Sequence, residues 1–210
     1  DDGLASISGL KGLTSLVLED TAISDDGLAS LAGMTKLREI NLFRTGVSDK
    51  GLGALGRMSE LKTVVLRDTA VQGAGLKVLA GAKAVERVDL SETLVDDAGL
   101  ANLSNLLKLK RLNLWSTQVT DAGLGHLKGL TQLEWLNLDS TGIGDEGVAA
   151  LVGHARLQTL NLSSSKISDN SIKSLVKLPA LKELNLSFTD VSEDAVTEFR
   201  KAMPACDVVR

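Results

Sequence analysis

The sequence lacks most of the residues that stabilise small or irregular folds. It has one cysteine, two prolines and no tyrosine in 210 residues, and aromatic residues make up only 2%. The single cysteine, Cys206, excludes an intrachain disulfide, so cytoplasmic and secreted or periplasmic locations both stay open. With so few aromatic residues the core must be aliphatic, and we interpret Cys206 as a small residue packed into its C-terminal end.

The chain also lacks an excess of basic charge and any long apolar run. Its formal net charge is −4, its isoelectric point is near 5.3, and like charges do not cluster along the sequence. Nucleic acids and anionic membranes require a basic face, so we expect neither as a partner. No stretch approaches the roughly 20 apolar residues of a membrane-spanning helix, so we expect no membrane insertion.

What the chain does have is a 24-residue unit that repeats eight times without insertion over residues 13–204. The unit reads LxxLxLxxTxV(S/T)DxGLxxLxxLxx, and we number its positions from Leu13, which is position 1 of unit 1. A fixed period of this length predicts a solenoid, in which each unit buries its apolar face only against its neighbours. We therefore predict one domain over residues 1–210: a partial unit (1–12), eight units and a terminal half strand (205–210). Because Asp1 falls at position 13, we expect a further segment to precede it.

Each unit combines the apolar spacing of a strand with that of a helix. Positions 4 and 6 alternate with positions 3, 5 and 7, which predicts a strand, and leucines at positions 16, 19 and 22 predict a helix of two to three turns. Strands linked through helices lie parallel about 4.8 Å apart, whereas packed helices need about 8–10 Å. The predicted fold class is therefore α/β, a right-handed horseshoe solenoid with a concave parallel sheet and convex helices.

Two polar columns repeat with the leucines. Hydroxyls at position 9 are expected to satisfy backbone groups where the chain turns inward after the strand; they are Thr21, Thr45, Thr69, Thr93, Thr117, Thr141, Ser165 and Thr189. Serine or threonine at position 12 and aspartate at position 13 both offer oxygens that can cap the helix, and the sequence leaves open which of the two is the cap. Calcium binding by the aspartates is an alternative. The aspartates are Asp25, Asp49, Asp97, Asp121, Asp145 and Asp169, and unit 3 breaks the column with Gln72 and Gly73.

These leucines, together with the TxV(S/T)DxGL segment, resemble the repeats of leucine-rich-repeat proteins of the ribonuclease-inhibitor-like kind. Threonine at position 9 followed by VTDxGL, as at residues 119–124, is similar to a class of bacterial leucine-rich-repeat proteins and, less closely, to the repeats attached to F-box proteins. The resemblance covers residues 1–210. It implies the solenoid fold and a binding role, without saying what is bound, because this scaffold hosts many unrelated tasks.

Candidate binding residues lie at positions 3, 5, 7 and 8, which we predict to face solvent from the concave sheet. Both tryptophans, Trp115 and Trp135, fall in these columns on adjacent units, and tryptophan and arginine are enriched at binding hot spots. Alternatively, these aromatics simply suit strands, and Arg111 merely stacks on Trp135. The predicted partner-binding residues are Phe43, Arg67, Arg87, Asp89, Arg111, Asn113, Trp115, Trp135, Asn137 and Asp139.

Other polar residues favour structural interpretations. Asparagines at position 5 of units 5–8 predict a ladder of amides that pair with one another, and a sugar or peptide site is the alternative; they are Asn113, Asn137, Asn161 and Asn185. His126 and His154 have no third ligand or acidic partner, and the sequence has no phosphate-binding loop, nucleophile elbow or CxxC motif. We therefore predict no catalytic residue, no metal and no cofactor.

The function predicted from the sequence is a non-enzymatic scaffold that binds a protein partner on its concave face, with a monomer favoured. The alternative is a targeting arm of a larger enzyme or receptor, such as a kinase or ubiquitin-ligase effector, whose catalytic part is absent from this chain. A third hypothesis is a structural role in a surface layer. It requires self-association through the open strand edge near Leu13.

Overall fold

A computed structural model describes residues 1–210, and in it the chain forms one unclosed sheet of nine parallel strands in sequence order. Each strand pairs with the next in a constant register of 24 residues, so Ser15 lies opposite Glu39 and Arg111 lies opposite Trp135. The strands are β1 (Ser15–Val17), β2 (Glu39–Asn41), β3 (Thr63–Val65), β4 (Arg87–Asp89), β5 (Arg111–Asn113), β6 (Trp135–Asn137), β7 (Thr159–Asn161), β8 (Glu183–Asn185) and β9 (Asp207–Val209). This confirms the predicted α/β solenoid fold.

The helices are shorter than the sequence predicts. The α-helices are α1 (Asp2–Ile7), α2 (Asp25–Ala29), α3 (Asp97–Ala101), α4 (Asp121–Leu124), α5 (Asp145–Ala150), α6 (Ile172–Leu175) and α7 (Glu193–Ala202), and 3₁₀ turns cover Gly51–Arg57, Ala74–Gly81, Gly125–Leu127 and Asp169–Ser171. Apolar residues three apart also match the three residues per turn of a 3₁₀-helix. Units 2 and 3 close with 3₁₀ turns alone, and units 5 and 7 combine a 3₁₀ turn with a short α-helix. Among the α-helices, only α7, in unit 8, has the predicted length. No helix is both long and apolar enough to cross a membrane.

One aliphatic core of 56 buried residues runs along the whole solenoid. Position 4 faces this core in every unit, and Leu136 is fully buried. Phe199 in α7 is the only aromatic residue in the core, and Cys206 is buried at its C-terminal end, where we expected it. Because the core is continuous, we propose that residues 1–210 are a single domain.

The chain turns sharply after each strand, and the hydroxyls at position 9 hold that turn. Each donates a hydrogen bond to the carbonyl oxygen three residues earlier, at O···O distances of 2.5 to 2.7 Å, which confirms the predicted structural role. The preceding residue, at position 8, has a left-handed backbone in all eight units, with φ between 50° and 59°. A left-handed residue reverses the chain direction, so the hydroxyl points back at the strand it has just left.

Candidate functional site

The aspartates at position 13 link each unit to the next. Asp25 accepts hydrogen bonds from the backbone N–H groups of Ser48 and Gly51 at 2.7 and 3.0 Å, and from the Ser48 hydroxyl at 2.7 Å. An aspartate of one unit therefore caps the first helical turn of the next unit. Contacts of the same kind to the following unit are made by Asp1, Asp49, Asp97, Asp121, Asp145 and Asp169. We call this row the aspartate ladder.

Capping of the unit's own helix falls to position 12. Ser24 accepts a hydrogen bond from the backbone N–H of Asp26, and Ser168 and Ser192 make equivalent contacts. Position 12 is therefore the cap in these units, but Thr120 in unit 5 makes no capping hydrogen bond. The aspartate at position 13 contacts the next unit instead. Burial raises the pKa of Asp145, but hydrogen bonds from Ser168 and Ser171 outweigh it and leave that pKa below its ordinary value.

Neither the ladder nor the histidines form a cluster of metal ligands. The aspartate oxygens already accept protein hydrogen bonds, and no group of three or more His, Cys, Asp or Glu side chains could share an ion. His154 is buried, with its ring nitrogens each 3.0 Å from a carbonyl oxygen, of Leu151 and Leu127 respectively. His126 is exposed and makes no hydrogen bond with it.

Unit 3 interrupts the ladder because Gly73 stands where the aspartate should be. The Gly73 backbone has φ of +116°, and its carbonyl oxygen accepts a hydrogen bond from the Asn102 side chain at 3.1 Å. Asp96, left without an aspartate from the preceding unit, caps its own helix through Gly99 N–H at 2.8 Å. A cavity of about 550 Å³ opens beside this break. Glycine is required here because a Cβ on Gly73 would lie 2.4 Å from the Gly99 Cα.

The opposite, concave face carries all ten predicted partner-binding residues, and none of them is buried in the core. Positions 3 and 5 face away from the core along every strand. Most side chains at position 7 are half-buried, and Ser91 and Ser163 in that column are buried, so the expectation that position 7 faces solvent was wrong for these two residues. At position 8 the side chains point outward, and Phe188 is 88% exposed.

Three predicted residues from different units come together on this face. The guanidinium carbon of Arg67 lies 4.9 Å from the centre of the Phe43 ring and 5.2 Å from that of Trp115. Arg67 reaches across unit 4, where Ser91 is small and buried, and its Nε donates to the Glu92 carboxylate at 2.7 Å. We call Phe43, Arg67 and Trp115 the aromatic–arginine cluster. Each stacking contact is worth about 0.5–1 kcal/mol, so the cluster holds Trp115 in a defined position.

Five more predicted residues surround a small cavity of about 140 Å³ on the neighbouring strands. Its lining is Arg87, Val88, Asp89, Arg111, Asn113 and Trp135, and we call it the basic cavity. The Arg111 guanidinium stacks on the Trp135 ring at 4.8 Å, so the contact considered as a purely structural alternative is present. Asn137 and Asp139 lie in neither group, and the Asn137 side-chain oxygen accepts from Asp139 N–H at 3.0 Å.

The asparagine column is not an amide ladder, and that interpretation was wrong. The side-chain oxygen accepts from the backbone N–H two residues later, at 2.9 to 3.2 Å, in Asn41, Asn113, Asn137, Asn161 and Asn185. This local contact is closer than the neighbouring strand about 4.8 Å away, so the amides turn towards their own chain. In units 5–8 the amide N–H groups have no protein acceptor and remain free on the concave face.

A groove of about 300 Å³ on the other side of Trp135 was not anticipated from the sequence. It is lined by Trp135, Thr159, Leu160, Asn161, Glu183, Leu184, Asn185, Asp207 and Val209. Its polar side chains occupy positions 3 and 5, but Thr159 and Glu183 are not residue types enriched at hot spots. Their repeat position on the concave face was the only sequence feature that could have identified them.

Comparison with known proteins agrees with this architecture. A family model described as "Leucine Rich repeat" matches residues 13–32, 33–56, 130–152 and 156–176. A search of curated proteins gives no match.

Solved structures with the same fold include two internalins of Listeria monocytogenes. Internalin C2 has a TM-score of 0.80 and 22% identity, over 99% of this chain and 90% of its own. Internalin F has a TM-score of 0.72 and 17% identity, over 98% and 69%. A TDR receptor has a TM-score of 0.68 and 14% identity, and this chain covers 98% of its own length but only 35% of the receptor. The chain therefore has the fold of leucine-rich-repeat proteins and is similar to those of bacteria.

Proposed function

We propose that this protein is a non-enzymatic scaffold that binds a protein partner on its concave face. The binding surface is centred on the aromatic–arginine cluster and the basic cavity, and it extends to Asn137 and Asp139. The observation that carries the proposal is that both tryptophans of the chain are partly exposed on this one face, each stacked against an arginine. Tryptophan and arginine bury a large area when a partner docks, which makes them the dominant hot-spot types.

These side chains are held in place before a partner binds, which favours high affinity. Arg67 is fixed by two aromatic rings and by Glu92, and Arg111 is fixed by Trp135. Side chains that are already immobile lose little conformational entropy when a partner docks, so more of the contact energy appears as affinity. The free amide N–H groups in units 5–8 add donors next to this surface.

A role without catalysis is supported by the state of the residues that could act as nucleophiles or bases. Cys206 is buried, and burial raises the pKa of its thiol, so the reactive thiolate is disfavoured. The repeated hydroxyls at position 9 donate to backbone carbonyls, and His154 lies between two carbonyl oxygens. None of these groups is paired as a nucleophile and its base.

Affinity capture with a matched set of variants tests the proposal. The immobilised protein, the Trp115→Ala/Trp135→Ala variant and a Val152→Ala variant are each exposed to lysate of the source cell, and bound proteins are identified by mass spectrometry. Val152 is 41% exposed on the helical side and serves as the control. We expect one partner to be retained by the wild type and Val152→Ala and lost from the double variant, with circular dichroism unchanged. Equal retention by all three would refute the concave-face proposal.

A second candidate function is a targeting arm within a larger enzyme or receptor, such as a kinase or ubiquitin-ligase effector. It is favoured by the TDR receptor, in which the matching fold is only about a third of a longer chain. The reading frame on both sides of residues 1–210 tests it. An adjoining catalytic or signalling domain would support this candidate, and its absence would refute it.

A further inference from the structure

We propose that the basic cavity is a subsite for one carboxylate side chain, a glutamate or aspartate of the partner. This inference rests on the proposed function, because it assumes that a partner docks on the concave face. It adds the chemistry of the contact: the partner surface that meets β4, β5 and β6 is acidic.

The first argument is that the two arginines of the cavity have no carboxylate partner. Of the arginines near the concave face, Arg44 pairs with Asp20 and Asp68, and Arg67 pairs with Glu92. Arg87 and Arg111 form no ion pair at all, although their Cα atoms are direct partners in adjacent strands. Like charges placed opposite each other in a sheet repel and are destabilising. An anion bound between the two arginines would relieve this repulsion.

The second argument is geometric. Arg111 stacks on the Trp135 ring at 4.8 Å, and both residues line the cavity together with Arg87 and Asn113. The Asn113 side-chain oxygen is occupied by Trp115 N–H at 3.2 Å, which leaves the amide N–H₂ group as a donor. Guanidinium and amide donors that line one small cavity match the two oxygens of a carboxylate. The Trp135 ring supplies an apolar wall for the methylene groups of the entering side chain.

The third argument is the charge balance, which selects a carboxylate over a doubly charged anion. Asp89 also lines the cavity, and one of its oxygens accepts from the Ser91 N–H and hydroxyl at 3.1 and 2.7 Å. Two arginines and one aspartate leave a net charge of about +1, which a single carboxylate neutralises and a phosphate dianion would exceed. The cavity also lies mid-sheet, with sheet surface on both sides, so a chain that fills it continues across the face.

Titration with small probes tests the subsite without the partner. The probes are N-acetylglutamate N-methylamide, its glutamine analogue and N-acetylglycine, which carries a terminal carboxylate. The readout is the indole N–H signal of Trp135 in a nuclear magnetic resonance spectrum, assigned through Trp115→Phe, since the chain has only two tryptophans. We expect a saturable shift with the glutamate probe at low salt, and binding weaker by about tenfold or more with the glutamine probe.

Matched variants complete the test. Arg87→Gln/Arg111→Gln should abolish the shift, whereas Arg57→Gln on the helical side should leave it unchanged. Equal shifts with the glutamate and glutamine probes, no shift at all, or a shift that persists in the double arginine variant would overturn the subsite. Tighter binding of N-acetylglycine than of the glutamate probe would mean that the subsite takes a chain-terminal carboxylate, which would overturn the assignment to a side chain. If the subsite fails while partner capture still depends on the tryptophans, the proposed function stands and only the carboxylate inference is lost.

Discussion

The aspartate ladder and the basic cavity both place like charges on neighbouring repeats, but the two regions use their hydrogen-bonding capacity differently. In the ladder, Asp25 and Asp145 each accept several hydrogen bonds from the following unit. In the cavity, Arg87 and Arg111 have no ion-pair partner in the chain. The ladder repeats along the solenoid, whereas the arginine pair occurs once.

The difference indicates how a repeat protein divides its polar residues between stability and recognition. A group that recurs at the same position meets the same backbone neighbours in each unit, so its partners are built into the repeat. Arg87 and Arg111 lie outside this repeated pattern and form no ion pair within the chain, so their donors stay available. Polar groups satisfied within the chain contribute to stability, whereas unsatisfied donors on an exposed face contribute only when a ligand arrives.

The largest effect is expected from removing one member of the ladder, Asp145→Ala. Asp145 accepts from Ser168 N–H at 2.9 Å, from the Ser168 hydroxyl at 2.6 Å and from the Ser171 hydroxyl. Hydrogen bonds to a charged acceptor are worth about 1.5–3 kcal/mol each but are not additive, so we expect a loss of about 2–4 kcal/mol in the free energy of unfolding. Urea denaturation measures it. The exposed neighbour variant Glu146→Ala should stay within about 0.5 kcal/mol of wild type, and equal losses would contradict the ladder's role.

The break in the ladder gives the next largest effect. Gly73 and Gly153 share φ near +115°, but a Cβ at Gly153 meets nothing within 4 Å, whereas at Gly73 it meets the Gly99 Cα. Substitution by alanine therefore adds backbone strain at both sites and a steric clash only at Gly73. We expect Gly73→Ala to lower the unfolding free energy by about 1–3 kcal/mol more than Gly153→Ala does. Equal losses would mean that the close packing of units 3 and 4 is not required.

Acid should weaken the ladder selectively. At Asp25, as at Asp145, burial raises the pKa, but hydrogen bonds outweigh burial and leave it below its ordinary value. A lowered folded-state pKa stabilises the protein fully above the unfolded-state pKa, about pH 4, and this stabilisation is lost as the pH falls through the lower folded-state value. The unfolding free energy should therefore fall on acidification below about pH 4, and it should fall less in Asp145→Ala. An identical acid dependence in that variant would count against this account.

The smallest effect is expected in the basic cavity. Arg87→Gln removes a like charge opposite Arg111 and breaks no ion pair, so the unfolding free energy should change by no more than about 0.5 kcal/mol, in the stabilising direction. Any gain should diminish in high salt, which screens the repulsion. Arg67→Gln, which removes the contacts to Glu92, Phe43 and Trp115, is the comparison and should be destabilising. A clear loss of stability in Arg87→Gln would show that this arginine is structural.

The spacing of the leucines was enough to predict the strands and the buried face, because the same apolar positions recur in every unit. The role of the position 9 hydroxyls was also predictable, because their contacts lie within one unit. The contacts of the aspartates were not predicted, because their partners lie one unit further along the solenoid. The asparagines were misinterpreted because their side-chain oxygens accept from a backbone N–H of the same unit and not from the asparagine of the neighbouring strand. Helix lengths were overestimated because a spacing of three suits both an α-helix and a 3₁₀ turn.

The repeat positions of the candidate binding residues could be predicted from the sequence. Which of these side chains contact one another could not. Position 7 identified Arg67 and Trp115 separately, two units apart. Their contact depends on Ser91 leaving room between them, and on the side-chain conformation of Arg67, neither of which a spacing reveals. The groove beyond Trp135 was not predicted for the same reason. Its lining residues include types that are not enriched at binding sites, and only the structure shows that they form one groove.

Site-specific photo-crosslinking tests the central claim of concave-face recognition most directly. Benzoylphenylalanine is introduced at Thr159, beside Trp135 on the sheet face, and separately at Lys128, which is exposed on the helical side. The captured partner should crosslink to the Thr159 variant and not to the Lys128 variant. Crosslinking through Lys128 with none through Thr159 would place the partner on the convex side and contradict the account.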